Sequence, residues 1–338
     1  MGDEQQAAGT STLRPVPGRW RLLLGRAAEL ATIGVGVPTI GALGAAHAWP
    51  LELFSHFRVQ YSIALVVSAG VFLVLRQLRW CAAATGLLCV NGWWIAPFLL
   101  PSGATVAQRI DAGAPSFKLA SINVYSGNPT PERVIEFIHE TNPDVIVVLE
   151  VTPEWEHRLE ALSATHPYDA VQSRAGNFGI ALYSRWPMDS VEFVPLSENN
   201  DAISARIVVD GEPCHVVAAH PFPPAGGRGS ELRNRQLRQL AALAQQSDGA
   251  TIVAGDLNIT PFSPYFDEFL AAANLNDPRR GQGLMPTWPS RRLPLWIPID
   301  HCLVSDGIAA KLSVGPDVGS DHRPLLAELQ VTHPNSAH

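Results

Sequence analysis

The chain has 338 residues and a net charge of −7 at pH 7, a length that predicts one or two domains. Charge is unevenly spread: residues 1–115 carry eight basic and five acidic residues, a balance of +3, whereas residues 116–338 carry sixteen and twenty-six, a balance of −10. A domain this acidic is a poor general binder of nucleic acid, because phosphate contacts need Lys and Arg, but it suits a site for a divalent cation.

Residues 1–20 read as a polar, disordered tail, and residues 21–100 as a membrane region. Leu30 to Trp49, Val59 to Leu75 and Trp80 to Leu100 are apolar runs of 20, 17 and 21 residues. A membrane span needs about 20 apolar residues, with about 17 as the lower limit. Three such runs, with Trp20, Trp49, Tyr61 and Trp80 near their ends, predict three transmembrane helices rather than buried core helices. Ala46-His-Ala48 also looks like a signal-peptide cleavage site, so retention of the first segment stays open. Arg14, Arg19, Arg21 and Arg26 precede the first span, and Arg76 and Arg79 lie between the second and third. The loop between the first and second holds only Arg58, with Glu52 nearby. The positive-inside rule then puts the N-terminus in the cytoplasm and everything after Pro101 outside it. The expected location is therefore the cytoplasmic (inner) membrane, multi-pass, with an extracytoplasmic domain.

Residues 101–116 read as a linker of sixteen residues, a flexible reach of roughly 20–25 Å. Residues 117–332 then alternate strands and helices. Thr130 and Pro131 are placed to start a helix with Val134, Ile135 and Ile138 on one face, and Thr152-Pro153 to start another. Phe178 to Ser184 and Ala202 to Val209 are strand-like, and Asp210-Gly211 is a hairpin signal. Ser230 to Ala244 is helical in pattern. Cys214 and Cys302 sit at opposite ends of strands, beyond disulfide reach. Early and late strand groups, each with helices, predict an α/β fold, a two-sheet sandwich flanked by helices.

Polar residues collect at the edges of these strands. Asn123 closes Phe117–Asn123, Glu150 closes Asp144–Glu150, and His220 closes Cys214–His220. Thr251-Ile-Val-Ala-Gly-Asp-Leu-Asn258 ends in Asp256 and Asn258, two residues apart and so on one face if the chain stays extended, the competing reading being a strand followed by an Asx turn. Asp300 and His301 open one strand, and Asp321 and His322 open another. Glu150 follows five apolar residues, where an unpaired carboxylate is costly, and is the best single metal candidate. Hard oxygen donors favour Mg²⁺ or Mn²⁺ over zinc. His301 points to the opposite face from Asp300 and reads as structural, as do His215 and His139.

With Gly255-Asp-Leu-Asn258 and Ser320-Asp-His-Arg-Pro324 as its most specific motifs, the stretch from Phe117 to Gln330 resembles the endonuclease/exonuclease/phosphatase superfamily, with its deoxyribonuclease I-like fold. The resemblance implies that Glu150 binds the metal, with Asn123 and Asp321 as further ligands or close neighbours. It implies that Asp256 orients or deprotonates the attacking water, helped by Asn258. His322 would contact the scissile phosphate, with Asp300 as its carboxylate partner, and His220 would assist the leaving group. Asn177 and Trp288 match positions that lie near substrate in the family. Arg228 and Arg233 follow a Pro- and Gly-rich loop and are weaker candidates for phosphate. Three spans followed by this domain resemble bacterial membrane proteins of the teicoplanin-resistance type. The expected activity is hydrolysis of a phosphate ester or diphosphate, with a membrane lipid or lipid-linked phosphate as partner; no protein partner is inferred. An extracytoplasmic endo- or exonuclease or other phosphodiesterase, and an inactive binding or scaffold protein, are the alternatives.

Overall fold

A computed structural model describes residues 18–101, 110–111, 113, 115–209, 211–247 and 249–331. The expected tail before residue 18, most of the 101–116 linker and Asp210 of the expected hairpin turn lie outside the described residues.

The N-terminal region holds α1 (Arg19–Gly41), which continues through a 3₁₀ turn to Gly44, a short α2 (Trp49–Ser55), α3 (Arg58–Leu75) and α4 (Leu78–Leu99). α1 with its 3₁₀ turn, α3 and α4 are long and apolar enough to cross a membrane. The first span departs from the expected Leu30–Trp49: it starts eleven residues earlier, at Arg19, and stops at Gly44. Arg21 and Arg26 are carried on exposed positions of its early turns and Glu29 on a half-buried one; long basic side chains so placed can extend toward an interface. Pro50 at the first turn of α2 starts a new helix, which the run of uncharged residues conceals. Outward-facing Leu30, Ile33, Val37, Ile63, Val66, Val67, Val74 and Trp93 give the bundle an apolar exterior.

The remainder is a sandwich. One sheet has the order β10-β11-β1-β2-β4-β3, built from β1 (Phe117–Asn123), β2 (Val145–Leu149), β3 (Tyr168–Gln172), β4 (Ile180–Ser184), β10 (Ile308–Val314) and β11 (Leu325–Val331). The other has the order β5-β6-β7-β8-β9, from β5 (Met188–Ser197), β6 (Asn200–Val209), β7 (Glu212–Ala218), β8 (Ala250–Asp256) and β9 (Asp300–Val304). Leu119, Val145, Val147, Leu149, Ala218, Ile252, Ala254, Cys302 and Val304 fill the space between the sheets. α5 (Glu132–Thr141) and α6 (Pro153–Leu159) cover the outer face of the first sheet, and α7 (Gly226–Ala244) and α8 (Pro264–Ala273) that of the second. Thr152 caps α6 as expected, but Thr130 does not cap α5: its hydroxyl turns to Asn128 instead. Cys214 and Cys302 are free thiols.

The two regions meet directly. Gly281 N and Gly283 N donate to the carbonyls of Pro97 and Phe98 at 3.0 and 2.9 Å. Gln60 Nε2 donates to the Trp296 carbonyl at 2.8 Å, and Phe98 packs edge-on against Phe262 at 5.8 Å. The sandwich therefore sits on the ends of the helices and does not swing on a flexible tether. A linker length sets only the upper limit of reach, and these contacts use none of it.

Candidate active site

Strand parity builds the site. Residues two apart on a strand share a face. Leu119, Ala218, Ala254 and Cys302 all face the space between the sheets. The same parity carries Asn123, His220, Asp256 and Asp300 to that interior at one end of the sandwich. His301 falls on the other face, where its Nε2 lies 2.8 Å from the Ile259 carbonyl and its Nδ1 meets Arg279; it is structural. His215 is likewise an ordinary buried histidine, 2.9 Å from the Ser204 hydroxyl, and His139 is exposed on α5.

Glu150 is buried and takes a left-handed backbone conformation, φ +63°. A non-glycine side chain at such a φ costs on the order of 1–3 kcal/mol and persists only where its surroundings impose it. Here the flanking backbone is fixed on both sides, by Val124 N to Leu149 O and Val151 N to Gly179 O. The carboxylate accepts from Asn123 Nδ2 at 3.2 Å and from the Ser126 amide at 3.0 Å. Asn123 Nδ2 also lies 3.4 Å from Asp256 Oδ2, so this one amide joins carboxylates from both sheets. In this orientation Asn123 is a close neighbour of Glu150 and Asp256, with its oxygen accepting from Tyr125 N.

Asp256 lies between two imidazoles. His220 Nε2 and His322 Nε2 are each 3.5 Å from Asp256 Oδ2. His322 Nδ1 lies 2.8 Å from Asp300 Oδ2. Burial alone would push His322 down, but the carboxylates of Asp300 and Asp256 outweigh it and raise the imidazole to about 10. Burial also works against a charged His220, yet Asp256, with Glu150 beyond it, carries its pKa above the ordinary value. Burial would raise Asp256, and the two histidines and the Asn258 amide instead hold it below the usual carboxylate value. His322 is thus an imidazolium at neutral pH, clamped between two carboxylates.

Asp256, Asp300 and His322 each bring a ligand atom within 4.8 Å of the others, a spacing that could hold an ion. A protonated imidazole already bonded to Asp300 is a poor metal ligand, since ligation needs the neutral ring. Glu150 offers oxygen without that competition. Asp321, half-buried, accepts from Trp288 Nε1 at 3.1 Å through Oδ2, while its Oδ1 is buried with no partner among the described residues. Ser320 beside it donates to the Asn123 carbonyl at 2.7 Å and so ties the Asp321 loop to β1. Oxygen donors with one buried lone-pair site unfilled fit a hard divalent cation.

The loop after β8 differs from the extended chain expected there. Gly255 has φ +144°, and a Cβ on it would lie 1.9 Å from the Ala219 carbonyl oxygen, so only glycine fits. Asn258 is left-handed, φ +51°. Its amide donates to Asp256 Oδ1 at 2.9 Å and its side chain to the Pro221 carbonyl at 3.0 Å. Asn258 therefore braces Asp256 through its backbone and does not share a face with it: the Asx turn forms here, not the extended chain.

The weaker candidates divide. Asn177 Oδ1 accepts from Ser126 Oγ at 3.0 Å, which joins it to the loop holding Glu150. The Trp288 ring lies 6.4 Å from that of His322. Arg233 is corrected: it is fully buried and paired with Glu52, so no anion can reach it. Arg228 is exposed on the first turn of α7, and no described contact joins it to the cluster. Three residues escaped the sequence reading. The Ser126 amide grips Glu150, Phe178 lies against His220 with ring centres 5.6 Å apart, and Glu52 sits in an apolar stretch where a lone carboxylate was itself the signal.

A two-sheet α/β sandwich with a carboxylate–imidazole cluster at one end defines a deoxyribonuclease I-like protein. The chain belongs to the Endonuclease/Exonuclease/phosphatase family, whose model matches residues 120–322. Members of that family are phosphoester hydrolases. No curated protein matches the chain. Among solved structures, it is similar to a humanized D. rerio TDP2 (16% identity, TM-score 0.54, covering 64% of this chain and 99% of that one). It is similar in the same way to an endonuclease/exonuclease/phosphatase from Bacteroides vulgatus (18%, 0.53, 64% and 99%) and to sphingomyelinase C from Streptomyces griseocarneus (18%, 0.51, 64% and 99%). At these identities the likeness is one of fold.

Proposed function

We propose that this protein is a membrane-anchored, divalent-metal-dependent phosphoesterase acting on a lipid-linked phosphate ester or diphosphate at the outer face of the cytoplasmic membrane. The observation that carries this reading is the buried cluster of Glu150, Asn123, Asp256, Asp300, His220 and His322 in a sandwich seated on apolar helix ends. Glu150 would hold Mg²⁺ or Mn²⁺, with Asp321 and Asn123 close by. When bound, the ion supplies charge to offset the phosphate and the leaving oxygen. Asp256, ionised and fixed by the Asn258 amide, is placed to accept a proton from an attacking water. His322, charged and held by Asp300, offers a donor to the phosphate. His220 is the second acid, facing Asp256 from β7's end.

The substrate class is inferred from what borders the site. A cleft of about 560 Å³ is lined by Tyr125, Trp288, Arg291, Arg292, Leu295 and Asp321. It combines Arg292 for phosphate, beside Arg291 on Asp317 at 3.0 Å, with half-exposed apolar groups, Tyr125 at 38% and Leu295 at 44%. Its Trp288–Trp296 wall is tied to the start of α3 through Gln60. An acidic domain seated on a bilayer favours a phosphate head group at the membrane over DNA. Full-length protein in lipid nanodiscs with Mg²⁺ is therefore expected to release phosphate from a prenyl diphosphate at least about tenfold faster than it cleaves plasmid DNA, a differential of roughly 1.4 kcal/mol in transition-state binding. Faster cleavage of DNA would move the assignment to a nuclease. No turnover of either, nor of a phospholipid, would support an inactive scaffold.

Orientation has its own test. Lys311, on β10, and Arg79, at the start of α4, are both exposed. A membrane-impermeant maleimide is expected to label Lys311→Cys in intact spheroplasts, and Arg79→Cys only after permeabilisation. The reverse pattern would refute the arginine-based topology.

A further inference from the structure

The membrane region does more than touch the sandwich. Glu52 of α2 and Arg233 of α7 are both fully buried, and Arg233 Nη2 lies 2.5 and 2.7 Å from the two carboxylate oxygens. The other arm of the same guanidinium, Nη1, donates to the backbone carbonyl of Asn258 at 2.9 Å. Ser263 Oγ donates to Glu52 Oε1 at 2.7 Å, and His56 Nδ1 lies 2.9 Å from Thr260 Oγ1. The hairpin between the first two spans thus grips residues 258–263, the segment that leaves Asp256.

A buried ion pair is poor evidence of stability, because desolvating two charges offsets most of their attraction; its best-attested use is to fix one arrangement over others. What this pair fixes is specific. The rigid fork of arginine serves two acceptors at once, one on the membrane hairpin and one on the loop, which an ammonium cannot do in the same geometry. Asn258, held by its carbonyl, in turn holds Asp256 Oδ1 by its amide. Glu52, Arg233, Asn258 and Asp256 form one continuous chain of contacts from membrane hairpin to catalytic carboxylate.

We propose that Glu52 and Arg233 are positioning residues through which the docked membrane hairpin sets the Asp256–Thr260 loop, so that the site is fully competent only while the hairpin is seated. The proposal rests on the role given to Asp256 in the reading above.

The test uses full-length protein in nanodiscs, with bis(p-nitrophenyl) phosphate and Mg²⁺ as probe, and amide hydrogen exchange as a readout independent of activity. Arg233→Lys keeps the charge opposite Glu52 and gives up the hold on Asn258. The double variant Glu52→Gln/Arg233→Met removes both charges and leaves none unpaired. Each is expected to lower kcat at least about tenfold with KM within about twofold, the scale of a loop displaced by a fraction of an ångström. Exchange at residues 255–260 should quicken about tenfold while β1, β2 and β7 keep their protection and the melting temperature stays within a few degrees. Wild-type kcat and exchange in both variants would overturn the proposal. So would loss of the melting transition in both, which would assign the pair to folding. If the wild-type protein turns over neither bis(p-nitrophenyl) phosphate nor a prenyl diphosphate, the functional reading fails alone, and the exchange measurement still decides the coupling.

Discussion

Glu150→Gln is expected to abolish turnover at sub-millimolar Mg²⁺, a loss of about a thousandfold or more, the upper scale for removing a major electrostatic contributor. The substitution keeps shape and volume. Its carbonyl can still accept the Ser126 amide, which now lies 3.0 Å from Oε2, and the flanking bonds that impose the left-handed φ are between backbone atoms. Folding is therefore expected to be little changed, and the melting temperature serves as the control. What goes is the negative charge. Asn123 is neutral, Asp256 is already shared between two histidines, and Asp321 by itself leaves the ion one carboxylate short. Calorimetric titration should show Mg²⁺ affinity falling in parallel with activity. Wild-type turnover in the variant, at the same Mg²⁺, would place the ion elsewhere, with Asp256 and Asp300 as the first site to test.

The part of the site that the sequence disclosed is the part that depends on strand parity. Alternation fixes which face a residue takes, so an apolar strand ending in Asn123, Asp256 or Asp300 announces both its core and its polar tip. The His301 assignment follows from the same rule, one residue out of phase. What stayed hidden depends on backbone angles or on contacts far apart in sequence. Asn258 looks like a partner of Asp256 by spacing, and only its positive φ turns the side chain away to Pro221. Arg233 looks like a solvated arginine because its partner lies 181 residues earlier, in a segment whose composition speaks only of membrane. The first long helix differs in its bounds from the predicted apolar run for a related reason: hydropathy marks where charge is absent, whereas a helix begins where its backbone can, and Arg19 to Glu29 extend it toward the N-terminus.

His322→Ala and Asp256→Asn are each expected to lower the rate at least about a hundredfold, the scale of losing a charge partner or a general base. Asp300→Asn should cost less than His322→Ala and add little to it, because the pair acts as one unit across its 2.8 Å bond. pH separates the two roles. His322 is raised from 6.5 to about 10, so its charge is complete at neutral pH and is lost only as pH rises through about 10. Its contribution to stability has the same sign: full below the ordinary 6.5, and lost as pH climbs to the folded value. Asp256 is depressed below its ordinary 3.8, so its carboxylate is present throughout the neutral range and fails only in acid. The His322 charge therefore sets an alkaline limb near pH 10 and the Asp256 carboxylate an acid limb below 3.8, and a loss of rate between them would belong to His220. Asp300→Asn removes the nearer of the two carboxylates that outweigh burial, leaving Asp256 at 3.5 Å, so the His322 pKa falls and the alkaline limb moves to lower pH by about one unit or more. The profile of log kcat/KM against pH for the two proteins is the measurement. An unmoved limb, together with losses that multiply in the double variant, would show that His322 works without Asp300 and that the carboxylate serves only to hold the strand end.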